Sequence, residues 1–314
     1  MSVLGLDLGG TKLAIASFSD EGKVLSKDVF PLEQRSGKAV GALIATAVSA
    51  YADKADSAVR SIGLSVPGIA RARTGTVWAP NISGWEDYPI VAEIREVVGN
   101  IPVGIDSDRA CCMLGELWQG SARRCRDAIY LAVGTGIGAG VLIDGKILRG
   151  AHDIAGSVGW MALDKPFQNK YIQCGCFEYY ASGDGIAKLT REYLATDVAY
   201  QGFLRSVDNN RLSAHHVFEA YDQGDPIATK VFSECIQYWG MAVANLISIF
   251  NPEKIIFGGG VFGPALRFLD AIREEARKWA QPISMTQVTF EPSGLRGDAA
   301  IFGAGFLASK LHSR

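Results

Sequence analysis

The sequence predicts an α/β protein built on a duplicated strand–glycine-turn–strand core, and three observations carry that expectation. The first lies at the N-terminus, where residues 3–25 read VLGLDLGGTKLAIASFSDEGKVL. An apolar strand runs into Asp7-Leu8-Gly9-Gly10-Thr11-Lys12. A second strand covers 13–18, Ser19-Asp20-Glu21-Gly22 turns the chain, and a third strand begins at Lys23. The second observation is a recurrence: residues 129–148 read IYLAVGTGIGAGVLIDGKIL, with Gly134-Thr135-Gly136 at the first turn and Asp144-Gly145 at the next. The two copies lie a domain's length apart, far beyond a solenoid period. The third is the alternation of strands with helical segments.

The helical segments follow in order. Residues 41–52, 90–98 and 110–118 have helix-like composition. Residues 217–221 with Pro226–Phe250 form a long, mostly helical stretch that Pro252 stops. A short strand, 254–257, then ends in Gly258-Gly259-Gly260. Over 263–279, Leu266, Leu269, Ile272 and Ala276 recur at helical spacing and predict one amphipathic helix.

Composition sets the outer limits. The 314 residues suggest roughly two domains at about 150 residues each. With 48% hydrophobic and 20% charged residues, the chain can bury a core and disorder is excluded as its main theme. Lys+Arg of 31 against Asp+Glu of 33 gives net charge −2, which argues against a general nucleic-acid binder, because that task needs a basic surface. The absence of a long apolar run and of a basic leader predicts no transmembrane helix, no membrane partner and no signal peptide. Cys111, Cys112, Cys125, Cys174, Cys176 and Cys235 then read as free thiols of a cytoplasmic protein.

Glycine is the outlier, 36 of 314 against a usual ~7%, and it is clustered. Turns after strands at Gly9-Gly10-Thr11-Lys12, Gly134-Thr135-Gly136-Ile137-Gly138 and Gly258-Gly259-Gly260 could each present backbone N–H groups to phosphate oxygens. None has the G-x-x-x-x-G-K-[ST] spacing. A strand follows Gly134–Gly140, where a dinucleotide fingerprint needs a helix. Any one of them alone reads more readily as a hairpin turn; three in one chain favour a nucleotide site. Asp7, at a strand end before the first turn, suits a water-mediated Mg²⁺ contact or a turn cap.

Asp7-x-Gly9-Gly10-Thr11-Lys12 resembles the first phosphate motif of the ROK family (repressors, open reading frames, kinases), and further motifs follow in order over nearly the whole chain. Val66-Pro67-Gly68 resembles its Pro-Gly turn. Ala79-Pro80-Asn81 with Trp85 resembles its "pN…W" loop, and Asp108 through Leu114-Gly115-Glu116 its catalytic segment. Gly134–Gly140 resembles the second phosphate motif, Ala155-Gly156 and Gly159 the "AGEIGH" element, and Gly175-Cys176-x-Glu178 with Ser182-Gly183 the "GCxE…SG" element. Asn251-Pro252-Glu253 and Gly258-Gly259-Gly260 resemble the adenosine-side motif. The resemblance implies the actin-like ATPase (ribonuclease H-like) two-lobe sugar kinase fold. It implies a small lobe of 1–117 plus 299–314, a large lobe of 118–298 and an active site in the cleft between them. The winged helix of the repressor members has no room before Asp7, so no nucleic-acid partner is expected. A homodimer is an expectation of the family alone.

The resemblance also assigns residues. ATP phosphates fall to Asp7 (through Mg²⁺ and water), Gly9, Gly10, Thr11, Lys12, Gly134, Thr135, Gly136, Gly258, Gly259 and Gly260. Asp108 becomes the general base, although Asp106-Ser107-Asp108 before a helix also offers three candidate N-caps. The sugar falls to Gly68, Asn81, Ser107, Asp108, Ser157, Trp160 and Glu178. Ser107 stands where the family has Asn, Ser157 where it has a sugar-binding Glu, and Trp160 where it has His. Of the zinc element C-x-C-G-x-x-G-C, Asn169 and Tyr171 replace two cysteines, so no structural zinc is expected. Trp160, Tyr171 and Phe177 are expected to fill that space as an apolar cluster, with a sugar-stacking Trp160 as the other reading; His152 reads as structural. The implied activity is ATP- and Mg²⁺-dependent phosphoryl transfer to a sugar hydroxyl, the 6-OH of a hexose or hexose derivative by family analogy. The lost sugar ligands motivate the alternative, a non-catalytic sugar- or nucleotide-binding protein.

Overall fold

In the computed structural model, residues 2–54 and 58–311 are described; residues 1, 55–57 and 312–314, all within the expected small lobe, lie outside the described residues. The N-terminal half carries β1 (Ser2–Leu8), β2 (Lys12–Phe18), β3 (Val24–Pro31), α1 (Lys38–Lys54), β4 (Val59–Val66), β5 (Ile69–Arg71), β6 (Thr76–Trp78), α2 (Ile90–Val98), β7 (Val103–Ser107) and α3 (Asp108–Gln119). The remainder carries β8 (Ala128–Val133), β9 (Ile137–Ile143), β10 (Lys146–Ile147), α4 (Cys176–Ala181), α5 (Gly183–Thr196), α6 (Phe203–Ser206), α7 (Ala214–Asp222), α8 (Pro226–Phe250), β11 (Lys254–Gly258), α9 (Leu269–Arg277), α10 (Pro282–Gln287), β12 (Thr289–Pro292) and α11 (Ala299–Lys310).

The duplication is explicit in the sheets. One has strand order β3-β2-β1-β4-β7 and the other β10-β9-β8-β11-β12. In each, a three-strand meander is followed by two strands that join in parallel, β4 and β7 in one and β11 and β12 in the other. One backbone bond closes the turn within each meander: Gly9 N–H donates to the carbonyl of Lys12, three residues on, and Gly134 N–H to that of Gly136, two residues on, both at 2.9 Å. Central β1 is buried almost throughout and reads as a near-continuous apolar run. Edge strand β3 is largely exposed, and carries Lys27, Asp28 and a terminal Pro31, residues that discourage further strand pairing.

The chain divides into two compact units, Met1–Cys125 with Gly140–Gly156 and Ser293–Arg314, and Arg126–Ala139 with Ser157–Pro292. This division differs from the expected lobes at 118–125, 140–156 and 293–298. Glu116, buried at the end of α3, accepts hydrogen bonds from Ser121 N–H at 2.6 Å, Ser293 Oγ at 2.5 Å, Gly294 N–H at 3.2 Å and Leu295 N–H at 3.3 Å. That one carboxylate ties both the exit of α3 and the returning chain into the first unit. Residues 140–156 join it because Gly140 lies against the Arg109 carbonyl and Met113 of α3, and because Arg149 pairs with Asp106.

Within the first unit α11 lies on β1, β4 and α3. Glycines allow the approach: a Cβ on Gly5 would sit 2.6 Å from the Ile301 carbonyl oxygen, and one on Gly303 would collide with the Cys111 carbonyl. In the second unit, 263–279 is not one helix. A 3-10 turn covers Pro264–Phe268, and α9 begins only at Leu269. Pro264 has no N–H for a helical ladder and sits at the start of that turn, where none is needed.

Candidate active site

In the first unit the local sequence sorts the three residues Asp106-Ser107-Asp108. Asp106, at the buried end of β7, receives Arg149 Nε at 3.0 Å and Nη2 at 2.5 Å. Burial raises its pKa, and the guanidinium opposes that shift. Ser107 is the N-cap of α3, its Oγ accepting the Ala110 N–H at 3.4 Å. Asp108 therefore opens the helix with its carboxylate only partly engaged. Its Oδ1 takes the Arg109 N–H at 2.7 Å, and Oδ2 has no protein partner among the described residues. Asp108 is exposed, yet the protein packed around its carboxyl raises its pKa by desolvation, with Arg109 pulling the other way. A carboxylate in that state can accept a proton.

Asp7, also in this unit, feels the Asp108 charge. Asp7 Oδ1 accepts the Ser65 hydroxyl at 2.8 Å. Burial pushes its carboxyl up to about 6, the Ser65 bond and Lys12 oppose the rise, and the Asp108 charge adds to it. Asp7 and Asp108 thus share one electrostatic neighbourhood, a setting that attracts a divalent cation. Gly10, Thr11 and Lys12 are exposed, and Gly9 is partly so. A Cβ on Gly10 would stand 3.6 Å from the Asn81 amide nitrogen, which sets Asn81 beside the first glycine turn. Trp85 is buried, stacked on Tyr88 at 4.5 Å, and donates from Nε1 to the Gly37 carbonyl at 3.1 Å. It holds this loop from behind. Gly68, in a left-handed conformation (φ 82°) that favours glycine, offers its carbonyl to Arg109 Nη1 at 3.2 Å; Arg109 Nε reaches the Ala155 carbonyl, also at 3.2 Å.

In the second unit, the turn after β8 and the face of α5 enclose a cavity of about 450 Å³, within the usual range for small-molecule sites. Gly134 and Thr135 line it with Gly260, Val261 and Pro264, which follow β11. Asp184, Ala187, Lys188 and Arg191, at the i, i+3, i+4, i+7 spacing of one helix face, form a second wall. Residues 212–215 at the start of α7, with Phe218, form a third. Of the glycines expected at phosphates, Gly134 and Gly260 reach this cavity, whereas Gly258 and Gly259 pack against Tyr130 and the Val133 backbone of β8. Those two act as backing that permits close packing. The wall from α5 and α7 was missed in the sequence; the only pointer to it was the spacing of 184, 187, 188 and 191 just after Ser182-Gly183.

Glu178, on α4, accepts the Ile137 N–H at 2.6 Å with Oε2 and lies against Gly136 and Gly159. Burial raises its pKa; the Ile137 bond and Lys188 oppose this. Ser157 caps the turn Val158–Trp160 by position, without a side-chain cap bond. Trp160 departs from the expected apolar cluster. Tyr171 and Phe177 are buried, but Trp160 is 57% exposed, and its backbone packs closely against Gly175. Tyr171 instead hydrogen-bonds Tyr180 at 2.9 Å and Asp164 at 3.2 Å through its hydroxyl. Cys174 is half-buried and Cys176 buried. Among the described residues, no group of three or more His, Cys, Asp or Glu side chains is gathered to hold a metal ion, and no helix is long and apolar enough to cross a membrane.

The ROK family model matches residues 3–311. A glucokinase of Halalkalibacterium halodurans is 31% identical over 98% of this chain and 94% of its own length. A xylose repressor of Caldicellulosiruptor bescii is 29% identical over 96% of this chain and 76% of its own. Among solved structures, a ROK hexokinase from Thermus thermophilus superposes with a TM-score of 0.80 at 29% identity, covering 100% of this chain and 99% of that one. A ROK family glucokinase from Streptomyces griseus, in complex with glucose and AMPPNP, superposes with a TM-score of 0.80 at 27% identity, covering 99% of this chain and 100% of that one. Matched along its length by the family model and by these structures, and carrying the family's motifs in order, this chain belongs to the ROK family and has its α/β kinase fold.

Proposed function

We propose that this protein is an ATP-dependent carbohydrate kinase that transfers the γ-phosphoryl group to a sugar hydroxyl, with Asp108 as general base. The observation that carries the reading is the sorting of Asp106-Ser107-Asp108: Arg149 occupies the first, the helix cap engages the second, and the third keeps a free carboxylate oxygen. The glucokinase relatives support the reaction class.

In this reading the nucleoside occupies the cavity of the second unit, and the backbone of Gly134, Thr135 and Gly136 faces the phosphates. The cavity suits a nucleotide: apolar Leu212, Phe218, Val261 and Pro264 offer surface for a base, and Ser213 and Lys188 offer polar atoms. Mg²⁺ enters with ATP as substrate, and Asp7 with its raised, mostly ionised carboxyl at neutral pH holds a water of its shell. Gly9, Gly10, Thr11 and Lys12 form the first-unit phosphate turn. For the acceptor, the first unit offers Asn81 and the Gly68 segment, and the second offers Ser157, Glu178 and the exposed indole of Trp160, which can stack on a pyranose face. Asp108 removes the hydroxyl proton as that oxygen attacks phosphorus, and the bond from phosphorus to the ADP oxygen breaks. The 6-OH of a hexose or hexose derivative is the proposed acceptor position.

The test is sugar-dependent ADP release with Mg·ATP, with the phosphosugar identified by mass spectrometry. Asp108→Asn is expected to lower kcat by about 10²–10⁴-fold, the range of general-base contributions, while the protein stays folded. Sugar or nucleotide binding without any phosphosugar would instead support a non-catalytic binding protein.

A further inference from the structure

The α5 face that lines the cavity carries two cations, and they are not equivalent. Arg191 donates from Nε to the Asn209 carbonyl and from Nη2 to the Leu212 carbonyl, both at 2.9 Å. It is spent on holding the segment that forms the opposite wall. Lys188, half-buried one turn earlier, has no carboxylate within ion-pairing distance among the described residues. Its ammonium stands 5.5 Å from the centre of the Tyr179 ring. Its charge reaches Glu178 and Cys174, opposing the burial that raises both. Glu178 in turn lies against Gly136 and the Ile137 N–H. Lys188 therefore belongs to the cavity and also to the neighbourhood of the Gly134–Gly136 turn.

The N-terminus of α5 cannot do the same work. Gly183 N–H donates to the Gly134 carbonyl at 2.7 Å, Asp184 N–H to the Thr135 carbonyl at 3.4 Å, and Gly185 N–H to Ser182 Oγ at 2.9 Å. The groups that could bind an anion there are already used to fasten the helix to the turn. Asp184, on the same face, is itself an anion. An ammonium that lines a cavity with no carboxylate within ion-pairing distance is available for a charge-assisted bond to an anionic ligand.

We infer that Lys188 is the side chain that binds the phosphate chain of the nucleotide, so that this cavity selects nucleoside di- and triphosphates over the bare nucleoside; the inference rests on reading the cavity as the nucleotide site.

The test is calorimetric binding of ADP and of adenosine to the full-length protein, in the presence of Mg²⁺, for wild type, Lys188→Gln and Lys188→Arg. Lys188→Gln is expected to weaken ADP about tenfold or more, the scale of one charge-assisted hydrogen bond, while adenosine affinity stays within about twofold. Lys188→Arg is expected to keep most of the ADP affinity. Lys188→Met, which keeps the stem over Tyr179, gives the same reading if the glutamine variant folds poorly. Unchanged ADP affinity, or equal loss of ADP and adenosine, overturns the assignment. A wild-type protein that binds neither ligand overturns the nucleotide reading of the cavity and this inference with it, a result visible without any variant.

Discussion

At the scale of single residues, the first unit keeps its chemistry in carboxylates whose surroundings differ. Asp7 has a carboxyl raised to about 6 from 3.8, chiefly by burial. Between those values the native state binds more protons than the unfolded chain. The stability that Asp7 contributes therefore falls as pH rises through that window, and is flat above it. Asp7→Asn removes the charge while leaving an acceptor for Ser65. It is expected to be more stable than wild type at pH 8 by about 1–2 kcal/mol, with the difference vanishing below about pH 4, and to lose Mg·ATP turnover. Denaturant unfolding at both pH values measures this; equal or lower stability at pH 8 would contradict the account of Asp7. The helix that Asp108 opens was legible in the sequence, read there over 110–118. Which of Ser107 and Asp106 would cap the helix was not, since Asp and Ser cap about equally well. Only the position of Arg149, brought from far along the chain, decides it.

At the scale of elements, two features hold the first unit together. Gly303→Ala would gain up to about 1 kcal/mol of helix propensity. The new Cβ would meet the Cys111 carbonyl, however, and overpacking of this kind costs about 1–3 kcal/mol or more. The prediction is a net loss of stability, read as a lower denaturation midpoint with unchanged slope. Glu116→Gln places an amide NH₂ among donors that already point at the carboxylate, and a loss of about 2–3 kcal/mol is expected, checked in the same unfolding experiment. Helices α2 and α8 were readable to the residue, α2 from composition and α8 from a long helical stretch with a proline stop. Helix α5 was not, because Gly183 and Gly185 in its first turn argue against a helix. The tertiary bonds from its first N–H groups to the Gly134-Thr135 turn override that local preference. The cavity wall it forms was hidden for the same reason. Helix 263–279 was over-read because the apolar spacing continues smoothly across a change from 3-10 to α geometry at Leu269.

At the scale of the whole molecule, the duplication was legible because each copy opens with the same strand, glycine turn and strand, and the two sheets repeat one strand order. The limits of the two units were not, because they depend on Glu116, Arg149 and Gly140 finding partners far away in sequence. The two related units are proposed to serve phosphoryl transfer to a sugar. That proposal is tested most directly by a coupled ADP-release assay with Mg·ATP across hexoses, ketoses, amino sugars and N-acetylated sugars, with mass spectrometry of the products and Asp108→Asn as control. Sugar-dependent ADP release, a matching phosphosugar and loss of both in the variant are expected. Folded wild-type protein that binds ATP yet yields no phosphosugar from any acceptor, or an Asp108→Asn variant as active as wild type, would contradict the proposal.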